Sequence, residues 1–406
     1  MSTRYPGGFI NRSAPVVVGP TEGEGGSAPG VWTLEQAGYY KKQGIWPTPF
    51  SVGTIFSWGS NNRGQLGQNN IINRSSPVQL GIDTNWSKIA CGGEHNAAIK
   101  STGELFLIGY NVYGQLGQGN NVYRSSPVQV GALTSWFSVA CGLQHTMATK
   151  TDNTLWAWGR GSTYGALGLN SASNFTSPRQ VGALTNWSLI SCGFNFTSSI
   201  KTDGTLWIWG DNANGQLGQN NIANYSSPVQ VGALTDWKSI SCGSFHTAAI
   251  KNNGSLWTCG SNTYGQLGQN ISYSVNRSSP VQVGQATEWA TAVCGSSHTI
   301  AIKTNGTIWS FGDGSLGQLG TGNRTSTSSP VQVGALTTWL KLSTTSYSSI
   351  AIKNDGTLWT WGWGSSGRLG LNDIISRSSP VQIGNLATWK SISKGSAANA
   401  VQMISS

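Results

Sequence analysis

At 406 residues the chain is long enough for two or three ordinary domains, yet only 9 % of it is charged, against about 25 % in an average soluble domain. Its formal charge of +10 is spread along the sequence. It forms no clustered basic tail, which argues against a nucleic-acid grip. No apolar run is long enough to span a membrane and residues 1–13 lack an apolar leader core, so neither membrane insertion nor a signal peptide is expected.

Residues 1–50 form an extension that follows no pattern found later. A Gly- and Pro-containing stretch, VVVGPTEGEGGSAPG, leads into VWTLEQAGYYKKQGIWP, and a short helix is expected over 33–42. Val31, Trp32, Leu34, Tyr39, Tyr40 and Trp46 are candidate anchor residues, because such a segment needs a partner surface to bury them. GVWTLEQAGYYKKQGIWP is similar to short segments of tailed-phage structural proteins, where GVW followed by Thr or Ser and Leu recurs with a later Trp-Pro.

From residue 51 the chain repeats itself. Ser-Ser-Pro or a near copy places its proline at Pro77, Pro127, Pro178, Pro228, Pro280, Pro330 and Pro380, at intervals of 50, 51, 50, 52, 50 and 50 residues. A period of this length marks a stacked array of one supersecondary unit. In one copy TLWIWG follows the turn at Asp203-Gly204, SSPVQVG follows a Gly/Asn loop, and WKSIS and HTAAIK alternate apolar with polar. These are four short strands, with a hairpin signal at Asp-Gly and a proline suited to a strand start or an edge.

The expected fold is therefore all-β: a seven-bladed β-propeller of four-stranded antiparallel blades over residues 51–406. The last copy ends after NAVQM, and its missing strand is supplied by GTIFSWG, residues 53–59. The N-terminal strand would complete the last blade and close the ring, which removes free edges.

Several residue series belong to this template. Trp86, Trp136, Trp187, Trp237, Trp289, Trp339 and Trp389 hold one position, and burying roughly 200 Å² per indole marks them as structural blade packing. Cys91, Cys141, Cys192, Cys242 and Cys294 hold another and read as reduced, buried thiols. His95, His145, His246 and His298 each lie four residues after such a Cys; since they recur with the template, they read as structural and not as metal ligands. Lys100, Lys150, Lys201, Lys251, Lys303 and Lys353 share a strand end, read as solvated, with an anion-binding annulus as the alternative. No carboxylate pair, phosphate loop or Ser/His/Asp pattern stands out. No catalytic residue, cofactor or metal is predicted.

TLWIWGDNANGQLGQ, SCGSFHTAAIK and VCGSSHTIAIK resemble the regulator of chromosome condensation repeat over residues 51–406. The resemblance implies a seven-bladed propeller. The founding member exchanges guanine nucleotides and binds nucleosomes through a basic tail and particular loops, and residues 1–50 here carry no comparable excess of basic residues. The ultraviolet photoreceptor of this fold uses GWRHT motifs, whereas this chain reads GEHN, GLQHT, GSFHT and GSSHT.

Where the copies differ, binding is expected. One loop position reads Arg63, Tyr113, Tyr164, Asn214, Tyr264, Leu316 and Ser366. Arg63, Tyr113, Tyr164, Tyr264 and Leu316, with Trp363, form a candidate binding rim. Three functions follow as expectations. The first is a non-enzymatic virion protein of a tailed phage (tail, fibre or capsid surface), anchored to other virion proteins by the extension, within a larger assembly, and facing a host protein or glycan. The second is a cellular, cytoplasmic propeller of the resembled family that binds a protein or small GTPase. The third is a glycan-binding lectin.

Overall fold

The computed structural model describes residues 52–405, apart from 162, 163, 272, 394, 396 and 397. The extension, with its anchor residues and the helix expected over 33–42, lies outside the described residues. β1 (Thr54–Gly59) and β2 (Arg74–Gln79) come first, followed by β3 (Trp86–Cys91), β4 (His95–Lys100), β5 (Leu105–Gly109) and β6 (Arg124–Gln129). β3 to β6 pair in chain order as one antiparallel sheet, blade 1. The same sheet recurs over residues 136–180, 187–230, 237–282, 289–332 and 339–382, blades 2 to 6.

Blade 7 is shared between distant parts of the sequence. Trp389–Ile392 and Ala400–Ser405 pair with each other, and β1 lies against Ala400–Ser405 in unbroken register from Thr54 opposite Ser405 to Gly59 opposite Ala400. β2 completes this sheet. Closure thus converts two strand edges into backbone ladders.

The core lies between blades. Ile99, Leu105 and Leu116 of blade 1 form one cluster with Trp136, Val139 and Trp158 of blade 2. Trp136 crosses Trp156 edge to face, with ring centroids 6.1 Å apart, the arrangement aromatic quadrupoles favour. The other inner-strand tryptophans repeat this contact, with Phe56 and Phe106 standing in for the partner indole in two blades.

The Asp-Gly turns are built as local chemistry requires. Gly204 adopts φ +78°, and a Cβ there would collide with the Thr235 carbonyl of the adjoining loop. Asp203 Oδ1 accepts from the Thr205 amide at 2.9 Å and its hydroxyl at 2.6 Å. Trp207 Nε1 in turn donates to Thr205 Oγ1 at 2.9 Å.

These turns and the Trp ends of the inner strands lie on one face of the ring, the hairpin face. The Cys-Gly-x-x-His turns and the long loops leading to each blade's outer strand lie on the other, the loop face. The inner strands, β3 and its equivalents, enclose a central cavity of about 240 Å³ lined by residues such as Ser87, Ser138, Cys192 and Ser391.

Candidate protein-binding face

The template's histidines join neighbouring blades. His95 Nε2 lies 2.9 Å from Thr146 Oγ1 of the next blade, and that hydroxyl donates to the Gln115 carbonyl at 2.9 Å. Trp158 Nε1 donates to the same carbonyl, also at 2.9 Å. His145 meets Thr197, His246 meets Thr299, and His298 meets Ser349, each at 3.0 Å. Burial pushes these imidazoles far below their usual range, to about 4 for His145 and about 3 for His95, His246 and His298. They are neutral hydrogen-bonding parts of the wall.

The six cysteines are free and buried. Burial raises their thiols, to about 12 for Cys91 and Cys294 and about 11 for Cys242, so thiolate chemistry is suppressed. Among the described residues, no three His, Cys, Asp or Glu side chains are grouped to hold a metal ion. No helix among them is long and apolar enough to cross a membrane.

The lysine series differs from the solvated strand ends expected for it. Lys150 Nζ lies 3.7 Å from the Trp156 ring centroid and 5.2 Å from that of Trp136. Lys201 and Lys353 repeat the sandwich. Lys100 also pairs with Asp83 at 2.9 Å and Lys303 with Glu288 at 2.6 Å. Cation–π contact and packing hold these ammonium groups against the aromatic seam.

Basic side chains gather on the loop face, four of them at one recurring position. Arg74, Arg124, Arg277 and Arg377 open the outer strands there, each opposite the glycine that ends the preceding strand. Arg63, Arg160, Arg324 and Arg368 lie in its loops. Arg63 of blade 7 reaches blade 1, with its guanidinium 5.1 Å from the Tyr110 ring centroid and 5.9 Å from that of Tyr123. Tyr110 also packs on Tyr123 at 4.9 Å and on Tyr113 at 6.3 Å. Arg160 of blade 2 covers Tyr113 at 4.9 Å and donates to Gln144 Oε1 at 2.7 Å. One Arg/Tyr run thus links three consecutive blades.

Of the expected rim, Arg63 and Tyr113 fall within this run. Tyr164, in the same loop as Arg160, and Tyr264 of blade 4 are exposed, and Leu316 is half-buried. Trp363 is half-buried too, stacked edge to face on Tyr347 at 5.4 Å and covered by Arg368 at 4.1 Å. Arg368 is itself buried, its Nε donating to the Ser365 carbonyl. Tyr110 and Arg160 were not singled out from the sequence. They follow the strand glycines Gly109 and Gly159; Tyr110 shares a loop with Tyr113, and Arg160 reaches Tyr113 from the next blade.

The Regulator of chromosome condensation (RCC1) repeat matches residues 52–99, 102–149, 152–200, 203–250, 253–302, 305–352 and 355–401. The chain belongs to this repeat family. The repeat boundaries are offset from the sheets, since the first repeat ends within β4 and the last reaches Ala400–Ser405. Among curated relatives, the Protein RCC2 homologs of Danio rerio and Xenopus laevis are 56 % and 50 % identical over 34 residues, 8 % of this chain and 7 % of theirs. Among solved structures, the fold is similar to human WBSCR16 (TM-score 0.78, 18 % identity, 87 % of this chain and 100 % of that one). It is equally similar to Prp20p of Saccharomyces cerevisiae (TM-score 0.78, 18 % identity, 88 % and 93 %).

Proposed function

We propose that this chain is a non-enzymatic protein-binding propeller that engages its partner through the loop face. The reading is carried by the Arg63–Tyr110–Tyr123 and Tyr113–Arg160 contacts. They set Arg and Tyr side by side on rigid loops, the composition enriched in binding hot spots. Buried neutral histidines and protonated thiols leave the template without an evident nucleophile or base. The similar Prp20p is described with binding properties toward Gsp1p and histones, and yeast RCC1 (Prp20) has been solved bound to Kap60. Those partners belong to those proteins, but they support a cellular protein partner over the other readings. The virion reading rests on the anchor-like sequence of residues 30–47, taken with the low charge, the repeat body and the variable loop tips. Mass spectrometry of purified virions is its test: absence of the chain would dispose of it.

The test of the main reading is affinity purification of the tagged full chain from its native cells after chemical cross-linking. Cross-links from the loops at residues 60–73 and 110–123 are expected, and the captured protein should be lost on Tyr123→Ser. Cross-links confined to the hairpin face, or capture unchanged by that substitution, would refute the loop-face assignment.

A further inference from the structure

The long loops share one device. Asn70 Oδ1 accepts from the Ile72 amide at 3.0 Å, Asn120 Oδ1 from Val122 at 3.0 Å, and Asp373 Oδ1 from Ile375 at 2.9 Å. Asn221 and Asn323 make the same turn beneath Ala223 and Thr325, and Ser171 makes it beneath Ser173. The turn locks the tip and fixes which residue is offered to solvent. In blades 2, 3 and 5 that residue is small or polar. In blades 6, 7 and 1 it is Ile375, Ile72 and Val122, exposed by 60 %, 58 % and 54 %, and in the first two turns the preceding Ile374 and Ile71 are exposed as well.

Ring closure makes these three blades consecutive. Each loop is clamped to the next blade: Asn372 donates to the Ser75 carbonyl at 2.7 Å, Asn69 to Ser125 at 2.8 Å, and Gly119 to Thr176 at 2.7 Å. The apolar tips therefore form one preorganised arc ending in the Arg63–Tyr123 cluster. Elsewhere, exposed apolar tips are Ile222 of blade 3 and, on the longer loop of blade 4, Tyr273 and Val275. Along the arc Arg63, Arg74, Arg124, Arg160 and Arg377 face two carboxylates, Glu94 and Asp373, an excess of 5 − 2 = 3 positive charges.

We infer that the arc from Ile375 through Ile72 and Val122 to Arg63 and Arg160 is the docking ridge, and that it takes an acidic protein segment carrying apolar side chains. Charge complementarity selects carboxylates, since Arg offers paired donors to them. The locked tips accept the apolar residues with little ordering cost. This inference rests on the protein-binding reading and narrows it to one sector and one partner chemistry.

A displayed random-peptide library selected on the immobilised full chain tests it. Enriched peptides should combine Asp or Glu with Leu, Ile or aromatic residues. Their affinity should fall about tenfold or more in the Ile72→Ser/Ile375→Ser double variant, and about as much in Arg160→Glu. It should be unchanged in Ile222→Ser, a control for loss of an exposed isoleucine outside the arc. All four positions are on loops, and circular dichroism melting confirms that each variant is folded. Peptides lacking acids, equal binding by the double variant, or no enrichment would overturn the inference. Peptides that depend on Tyr264 instead would remove the arc and leave a loop-face binder standing.

Discussion

His95 and Thr146 join blade 1 to blade 2 through a relay whose protons can be assigned. Thr146 has one hydroxyl proton, and it goes to the Gln115 carbonyl. The 2.9 Å contact to His95 is therefore donated by Nε2–H, and since burial keeps the imidazole neutral, Nδ1 is the unprotonated nitrogen. Protonating Nδ1 would put a charge inside the blade seam.

Stability should accordingly fall in acid. The folded-state values of these histidines, about 3 to 4, lie below the unfolded value near 6.5. The unfolded chain then binds more protons between those limits, so unfolding free energy drops as pH falls from about 6.5 toward 4. With four such groups the slope approaches several kcal/mol per pH unit. Urea melts at pH 7.5, 6 and 5 check this; a flat profile would mean that the imidazoles can charge in place.

The thiols titrate in the opposite sense. Their raised folded values make the native protein hold protons that the unfolded chain releases above pH about 8.5, so stability falls at alkaline pH. The native protein should also resist a thiol reagent at neutral pH. Modification should track unfolding, and rapid labelling of the folded chain would contradict the buried positions of the six cysteines.

Inter-blade packing sets the cost of core substitutions. Trp136→Ala removes an indole shared by two blades and should cost about 3–5 kcal/mol. Trp158→Phe keeps most of the area and loses the bond to Gln115, for about 1–2 kcal/mol. Equilibrium denaturation distinguishes the two, and equal losses would mean that the hydrogen bond, not the packing, dominates.

Gly204→Ala should destabilise by about 1–2 kcal/mol because the residue sits at φ +78° against the Thr235 carbonyl. Gly232, also at positive φ but with open space around its Cβ position, should suffer less. Thermal melts of the two single variants provide the comparison.

The blade is a local object, and for that reason it was legible in the sequence. Period-two alternation, the Asp-Gly turn and the strand-initiating proline act within a few residues, and seven copies reinforce one another. Closure was legible because blade 7 could be assembled from GTIFSWG and NAVQM. The site was not, because it depends on neighbours far apart in sequence. Ile375 and Ile72 become adjacent only through the ring, and Arg63 meets Tyr123 only because blade 7 packs on blade 1. The lysines looked solvated because their charge is visible in the sequence and the tryptophan pair that receives it is not. The loop position Arg63/Tyr113/Tyr164/Tyr264 was visible as variation. Which of its members share a surface was a matter of blade geometry.

The most direct test of loop-face binding is hydrogen–deuterium exchange of the full chain with and without its captured partner. Added protection is expected in residues 60–73, 110–123 and 365–376, with residues 81–85, 131–135 and 182–186 on the hairpin face unchanged. Protection on the hairpin-face loops, with the loop face unaltered, would contradict the account.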